Sequence, residues 1–423
     1  MTALPPLPSW TCTPTDTRAA IAETKHAIRQ RLHAAGRSID EVFSVMSDRV
    51  LAQVEEVAAE LEAGRNVWPV VQYADIEAGT VPAETVALLR KRGCMIVRGH
   101  FPRQQALDWD RGIQDYVEGN RFFETYRGAG DDFFASVDSK PEIYPIYWSP
   151  AQMEARQSDR MARVQAFLNS FWTSTSSGTQ WFDPDRDSMY PDRIRRRPPG
   201  TTSNGLRPHM DAGTLDLWMT HEHQTAFRHL FDGSVEEFDP WSAEHRTAGP
   251  MFVGTTKTSA FRTFQGWTAL SDMDHDQGVL HSIPIVDVMG YLLLRPLLAD
   301  VSDDDMCGVA VGRAFPGGTD WHAPLQPALG GIPDVRAGDS AWWQTDLLHA
   351  VAPVQDQKGW GNVMYIPAAP WCERNERYAS LVRAAFLDGS SPGDFPPEHY
   401  EREWPDRFPV EALNRTGRRA LGL

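Results

Sequence analysis

The sequence predicts a mainly β fold with helical additions, in which a helical N-terminal extension (residues 1–66) precedes a domain of short strands over residues 67–423. Two observations point there. Before Gly64, apolar residues recur at three- and four-residue steps, the period of an amphipathic helix. From Gly205 onward, short apolar runs alternate with Gly, Pro and Asp, the punctuation of strands joined by turns in a β-sandwich or barrel rather than in βαβ units. There is no internal repeat and no glycine-rich nucleotide loop.

Taken in order, residues 17–62 read as helical. Ser47 is the expected cap of a helix in which Val50, Val54, Val57 and Leu61 share one face, and Gly64-Arg65-Asn66 is its stop. This extension carries no chemical constellation and is expected to pack on the main domain. Residues 67–71 read as a strand, 82–92 as a helix, 94–97 as a buried strand and 102–118 as a second amphipathic helix. Residues 122–199 are aromatic-rich and irregular, the kind of long insertion that often covers a site. Strands are expected at 214–219, 260–270, 278–285, 308–314, 340–343 and 362–366.

Composition narrows the function. With 423 residues, 41% of them hydrophobic, and 15 Trp and 19 Phe, the chain can bury a sizeable core. A net charge of −16 argues against nucleic acid as a partner, because phosphate backbones are bound by basic surfaces. The dense basic run 193–197 reads as a solvated loop, or alternatively as an anion-receiving rim, since it lies shortly before His209. The four cysteines have no C-x-x-C spacing, which fits a reducing compartment. No secretory leader or membrane-length apolar stretch is evident, so no membrane partner is expected and the location expected is cytoplasmic. Nothing in the sequence fixes the oligomeric state.

The chemistry sits in two motifs. Arg207-Pro208-His209-Met210-Asp211-Ala212-Gly213 contains H-x-D, and Asp346-Leu347-Leu348-His349 supplies a distant histidine. Residues i and i+2 of an extended chain project to one face, so His209 and Asp211 can reach the same ion. With His349 they form a 2-His-1-carboxylate set, which occupies one face of an iron(II) ion and leaves the other open for a co-substrate and dioxygen. The group His221-Glu222-His223 with His229 lacks H-E-x-x-H spacing and reads as surface or satisfied histidine. Trp218, Trp342 and Trp343 read as core, and Trp267 as the best candidate for a pocket wall.

The order of the helix–Gly–strand unit at 86–97, the H-x-D, residues 266–272 and 278–284, and Ala337-Gly338-Asp339 before Leu348-His349-Ala350-Val351 resembles the phytanoyl-CoA hydroxylase branch of oxygenases. Residues 261–270 and 365–370 resemble, more narrowly, the domain of unknown function 1479 family. The resemblance implies a double-stranded β-helix (jelly-roll) core. It also implies Fe(II) on His209, Asp211 and His349, with 2-oxoglutarate and O2 as co-substrates. The reaction implied is hydroxylation or desaturation of a small-molecule substrate, releasing succinate and CO2. One departure matters. Such oxygenases carry an arginine about a dozen residues after the last histidine to hold the far carboxylate of 2-oxoglutarate, and here the stretch reads Gln357-Lys358-Gly359-Trp360-Gly361-Asn362, with Gly361 at that place. A substitute is therefore expected from elsewhere: Arg262 first, then Lys257, Arg207 and Arg313, with Trp267 and Asn362 as further co-substrate contacts. The rivals are a jelly-roll module that binds metal without catalysis, and a cupin-like metalloenzyme that needs no oxo acid.

Overall fold

The computed structural model describes residues 4–126, 142–248, 259–318 and 320–423. Two long helices open the chain, α1 (Thr17–Ala34) and α2 (Ile39–Glu62). Asp16 caps α1 by accepting the Ala19 amide at 3.0 Å. Ser38 and Glu41 form a reciprocal capping box at the start of α2, with amide bonds of 3.2 and 2.7 Å. The expected cap at Ser47 therefore falls inside α2, because the stronger start signal lies nine residues earlier. Val42, Met46, Val50, Val54 and Val57 form the buried stripe of α2, which packs against Val288–Leu294 and joins the same apolar core as the sheets.

The strands of the two larger sheets are β1 (Val70–Gln72), β2 (Cys94–Arg98), β3 (Ile143–Tyr144), β4 (Ile194–Arg195), β5 (Leu206–Met210), β6 (Phe264–Ala269), β7 (Leu280–Ser282), β8 (Phe315–Pro316), β9 (Gly330–Gly331), β10 (Ser340–Gln344), β11 (His349–Val351) and β12 (Val363–Tyr365). One sheet has seven strands in the order β1-β2-β10-β6-β12-β4-β3, and the other has five in the order β8-β5-β11-β7-β9. All the named pairings are antiparallel except β1 with β2. Every residue of β6 and of β10 is buried, as expected of central strands covered on both faces. Gly266 of β6 lies opposite Trp342 of β10, and a Cβ there would come within 2.3 Å of the indole.

The chain is a mixed α/β protein with several sheets, and among the described residues helical ones outnumber those in strands, so the mainly β expectation is corrected. Residues 214–219 hold a short helix, Leu215–Trp218, with every side chain buried. Such a run is short and buried on all sides, Asp216 included, and periodicity cannot separate it from a buried strand. Residues 308–314 form no strand, because Gly308 and Gly312 turn the chain with φ of 83° and 68°. The described part of 122–199 is more ordered than expected and includes helices Pro150–Arg156 and Asp159–Asn169. The basic run is not solvated: Ile194 and Arg195 form β4, and Arg195, Arg196 and Arg197 are all buried. Among the described residues, no helix is long and apolar enough to cross a membrane.

Candidate metal centre

β5 and β11 are neighbours, and their register sets His209 directly opposite His349, with ring centroids 4.3 Å apart. Asp211 follows β5 immediately, so the alternation of an extended chain returns its side chain to the face used by His209. Its Oδ2 lies 3.3 Å from His349 Nε2, and its Oδ1 lies 3.8 Å from His209 Nε2. One donor atom from each of the three residues falls within 4.8 Å of the others, and this is the one such group found among the described residues.

The tautomers follow from what stands behind each ring. His209 Nδ1 is 2.7 Å from the Arg207 carbonyl, and His349 Nδ1 is 3.2 Å from the Leu347 carbonyl. A carbonyl can only accept, so each Nδ1 carries the proton and each Nε2 turns a lone pair toward the common centre. Burial, reinforced by the adjacent His349, pushes His209 down to about 4, so its ring is neutral at neutral pH. Burial works to raise Asp211, but the two rings and Arg262 outweigh it and hold its carboxyl below the usual range. Two imidazoles with Nε2 facing the centre and one carboxylate form a donor set suited to a divalent transition ion, with too few ligands to close its coordination shell.

A second layer holds the carboxylate. Gln265 Nε2 donates to Asp211 Oδ2 at 2.9 Å, and Trp343 Nε1 donates to Gln265 Oε1 at 2.9 Å. The Trp343 ring also sits 5.1 Å from that of His349. Sequence reading missed both roles. Trp343 looks like core, and a lone glutamine in an apolar strand carries no signal until its partner is known.

The triad opens into a cavity between the two sheets. Leu206, Leu280 and Val351 line it from the five-stranded sheet, and Trp267, Tyr365 and Arg195 from the seven-stranded one. Trp267 thus forms part of the wall. Arg262 lies in the cavity beside the metal ligands, its Nη2 donating to the Asp211 carbonyl at 3.2 Å and its guanidinium 5.2 Å from the Tyr190 ring. Asn362 does not line the cavity. It precedes β12 on the face opposite Tyr365, and its Nδ2 donates to Asp110 at 2.9 Å. Arg207 and Arg313 are exposed and outside the lining, and Lys257 lies outside the described residues. His223 stacks on Trp218, with centroids 6.0 Å apart, and belongs to no metal-ligand group among the described residues.

The arginines of the former loop differ in how they are matched. Arg196 pairs with Asp110 at 3.3 Å and Arg197 with Glu142 at 3.0 Å. Arg195 instead donates from Nε to the Gly361 carbonyl at 3.2 Å, and its Nη2 lies 3.7 Å from the Met273 sulfur. No carboxylate pairs with it among the described residues.

Comparison with known proteins places this architecture. The family model described as Gig2-like matches residues 19–423. The chain is 53% identical over 413 residues to the uncharacterized protein YbiU of Escherichia coli K12, covering 97% of each. It also matches the crystal structure of the "Putative Oxidoreductase" of Salmonella typhimurium LT2, with 49% identity, a TM-score of 0.92, and 98% of this chain and 99% of that one covered. The fold extends to the GlcNAc Inducible Gene 2 protein (DUF1479) of Candida albicans, at 22% identity and a TM-score of 0.73, covering 99% of this chain and 91% of that one.

Proposed function

The chain belongs to the Gig2-like (DUF1479) family, and from that premise we propose that it is a non-haem iron(II)- and 2-oxoglutarate-dependent oxygenase acting on a small organic substrate. The observation that carries the reading is the convergence of His209 Nε2, His349 Nε2 and the Asp211 carboxylate on one point in the wall of a cavity. The strand order supports it. Two sheets in which β4, β12, β6 and β10 are neighbours on one side, and β5, β11 and β7 on the other, fit a double-stranded β-helix. A relative bearing the word oxidoreductase in its name points the same way.

Bound at the triad, iron(II) with 2-oxoglutarate and dioxygen supplies the oxidising chemistry for hydroxylation or desaturation, with succinate and CO2 as co-products. The chain's own residues prepare that site. The carbonyls of Arg207 and Leu347 fix the ring tautomers, and Gln265 with Trp343 steadies the carboxylate. Arg262 anchors the backbone of Asp211. Leu206, Leu280 and Val351 present apolar surface next to the triad, which keeps bulk water from the oxidising centre.

The test is oxygen-dependent formation of succinate from 2-oxoglutarate by the iron-loaded protein, which such enzymes carry out slowly even without their prime substrate. The wild type should form succinate and His349→Ala should not. Equal, background-level formation in both would count against the oxygenase reading.

A further inference from the structure

Resting on the oxygenase reading, we propose that Arg195, from the strand beside β12, holds the far carboxylate of 2-oxoglutarate in the space that Gly361 leaves. Tyr365 of β12 faces the cavity, so by the two-residue alternation 363 and 361 belong to the same face. Position 361 is where the resembling oxygenases carry their arginine. Val363 lies opposite Arg195 of β4, so the Arg195 side chain issues from that face on the adjoining strand.

The glycine has no backbone reason to be there. Its φ lies outside the left-handed region, and a Cβ on it would make ordinary contacts, 3.4 Å from Arg197 Cβ and 3.9 Å from Arg195 Nη2. What the missing side chain does leave is room beside the Arg195 guanidinium. An arginine at 361 would bring a second cation against that one.

Charge accounting selects the same residue. Three consecutive arginines are buried, and two of them carry a carboxylate of their own. Arg195 is 6% exposed, lines the cavity that holds the triad, and has a carbonyl and a thioether for partners. Burial, aided by Arg197, pushes it down to about 10, which still leaves it charged at neutral pH. Glu142 acts on Arg195 only from a distance, and a buried guanidinium with no carboxylate in contact is costly; a carboxylate reaching it through the cavity would lower that cost through a paired hydrogen-bond geometry. Arg262, the candidate favoured by sequence alone, is placed beside the metal ligands instead, where it serves Asp211.

The test is anaerobic calorimetric titration of 2-oxoglutarate into iron(II)-loaded wild type and Arg195→Met, with 2-oxobutyrate, which lacks the far carboxylate, as the second titrant. Iron content and thermal stability are measured for each protein. Arg195→Met should keep its iron and weaken 2-oxoglutarate by about a hundredfold, as expected when one partner of a desolvated charge pair is removed. Binding of 2-oxobutyrate should be weak and alike in both. Arg195→Lys, which keeps the charge but not the fork, should lie between them and guards against a folding defect in the Met variant. Adding Gly361→Arg to Arg195→Met should recover affinity. If wild type and both Arg195 variants bind 2-oxoglutarate alike, the proposal falls and the oxygenase reading stands. If iron-loaded wild type binds no 2-oxoglutarate, both fall together.

Discussion

What each histidine of the triad can do is decided by the carbonyl behind it. Because Arg207 O and Leu347 O can only accept, they hold the protons on Nδ1 and direct both Nε2 lone pairs to one point. The carboxylate between them is positioned by a chain of two donors, Trp343 to Gln265 to Asp211. Gln265→Leu should therefore keep the fold but weaken Fe(II) binding by about 10- to 100-fold, the usual cost of losing such an outer partner. Metal-competition titration checks this, and unchanged affinity would reduce Gln265 to a packing residue. At this scale the sequence was informative where function needs a residue type at a fixed spacing, as in His209-Met210-Asp211. It was silent on Gln265, whose partners lie far along the chain, and it reached Arg195 only through the alternative reading of 193–197 as an anion-receiving rim.

At the scale of elements, the readable features were those with a local cause. The capping box at Ser38–Glu41 and the apolar stripe of α2 are local, although the weaker signal at Ser47 obscured where the helix begins. Residues 214–219 and 308–314 went the other way: one is a helix buried on all sides, and the other is broken by left-handed glycines. Of the two readings of the arginine run, the solvated loop fails because charge alone suggests solvent, whereas Arg195, Arg196 and Arg197 are buried. Asp110 and Glu142, which allow Arg196 and Arg197 to be buried, lie more than fifty residues earlier. The pairing of β6 with β10 depends on a close approach, with the Trp342 indole over Gly266. Gly266→Val should force these strands apart and cost about 1–3 kcal/mol, the typical price of overpacking a filled core. Urea unfolding measures it, and a variant as stable as wild type would mean the strands yield more easily than this packing implies.

For the whole molecule, distant segments are joined by a few buried polar groups. Glu401, near the C-terminal end, accepts from the Tyr116 hydroxyl at 2.8 Å and from the amides of Tyr147 and Trp148 at 2.6 and 2.9 Å. Glu401→Ala would leave three buried donors without an acceptor. At about 1–3 kcal/mol for each orphaned group, the loss should be at least about 3 kcal/mol, visible as a large drop in melting temperature. A shift of a degree or less would show that water replaces the carboxylate without difficulty.

The central claim concerns the metal centre, where β5 and β11 set three ligands in the lining of a cavity that carries a buried cation. The most direct measurement is the visible absorption of the protein loaded with Fe(II) under anaerobic conditions, before and after adding 2-oxoglutarate. Chelation of the oxo acid by iron on the open face should produce a weak metal-to-ligand charge-transfer band in wild type. His209→Ala, Asp211→Ala and His349→Ala, each short of one ligand, should fail to give it. Iron-loaded wild type that shows no band at saturating 2-oxoglutarate, or a band of equal strength in the triad variants, would contradict the account.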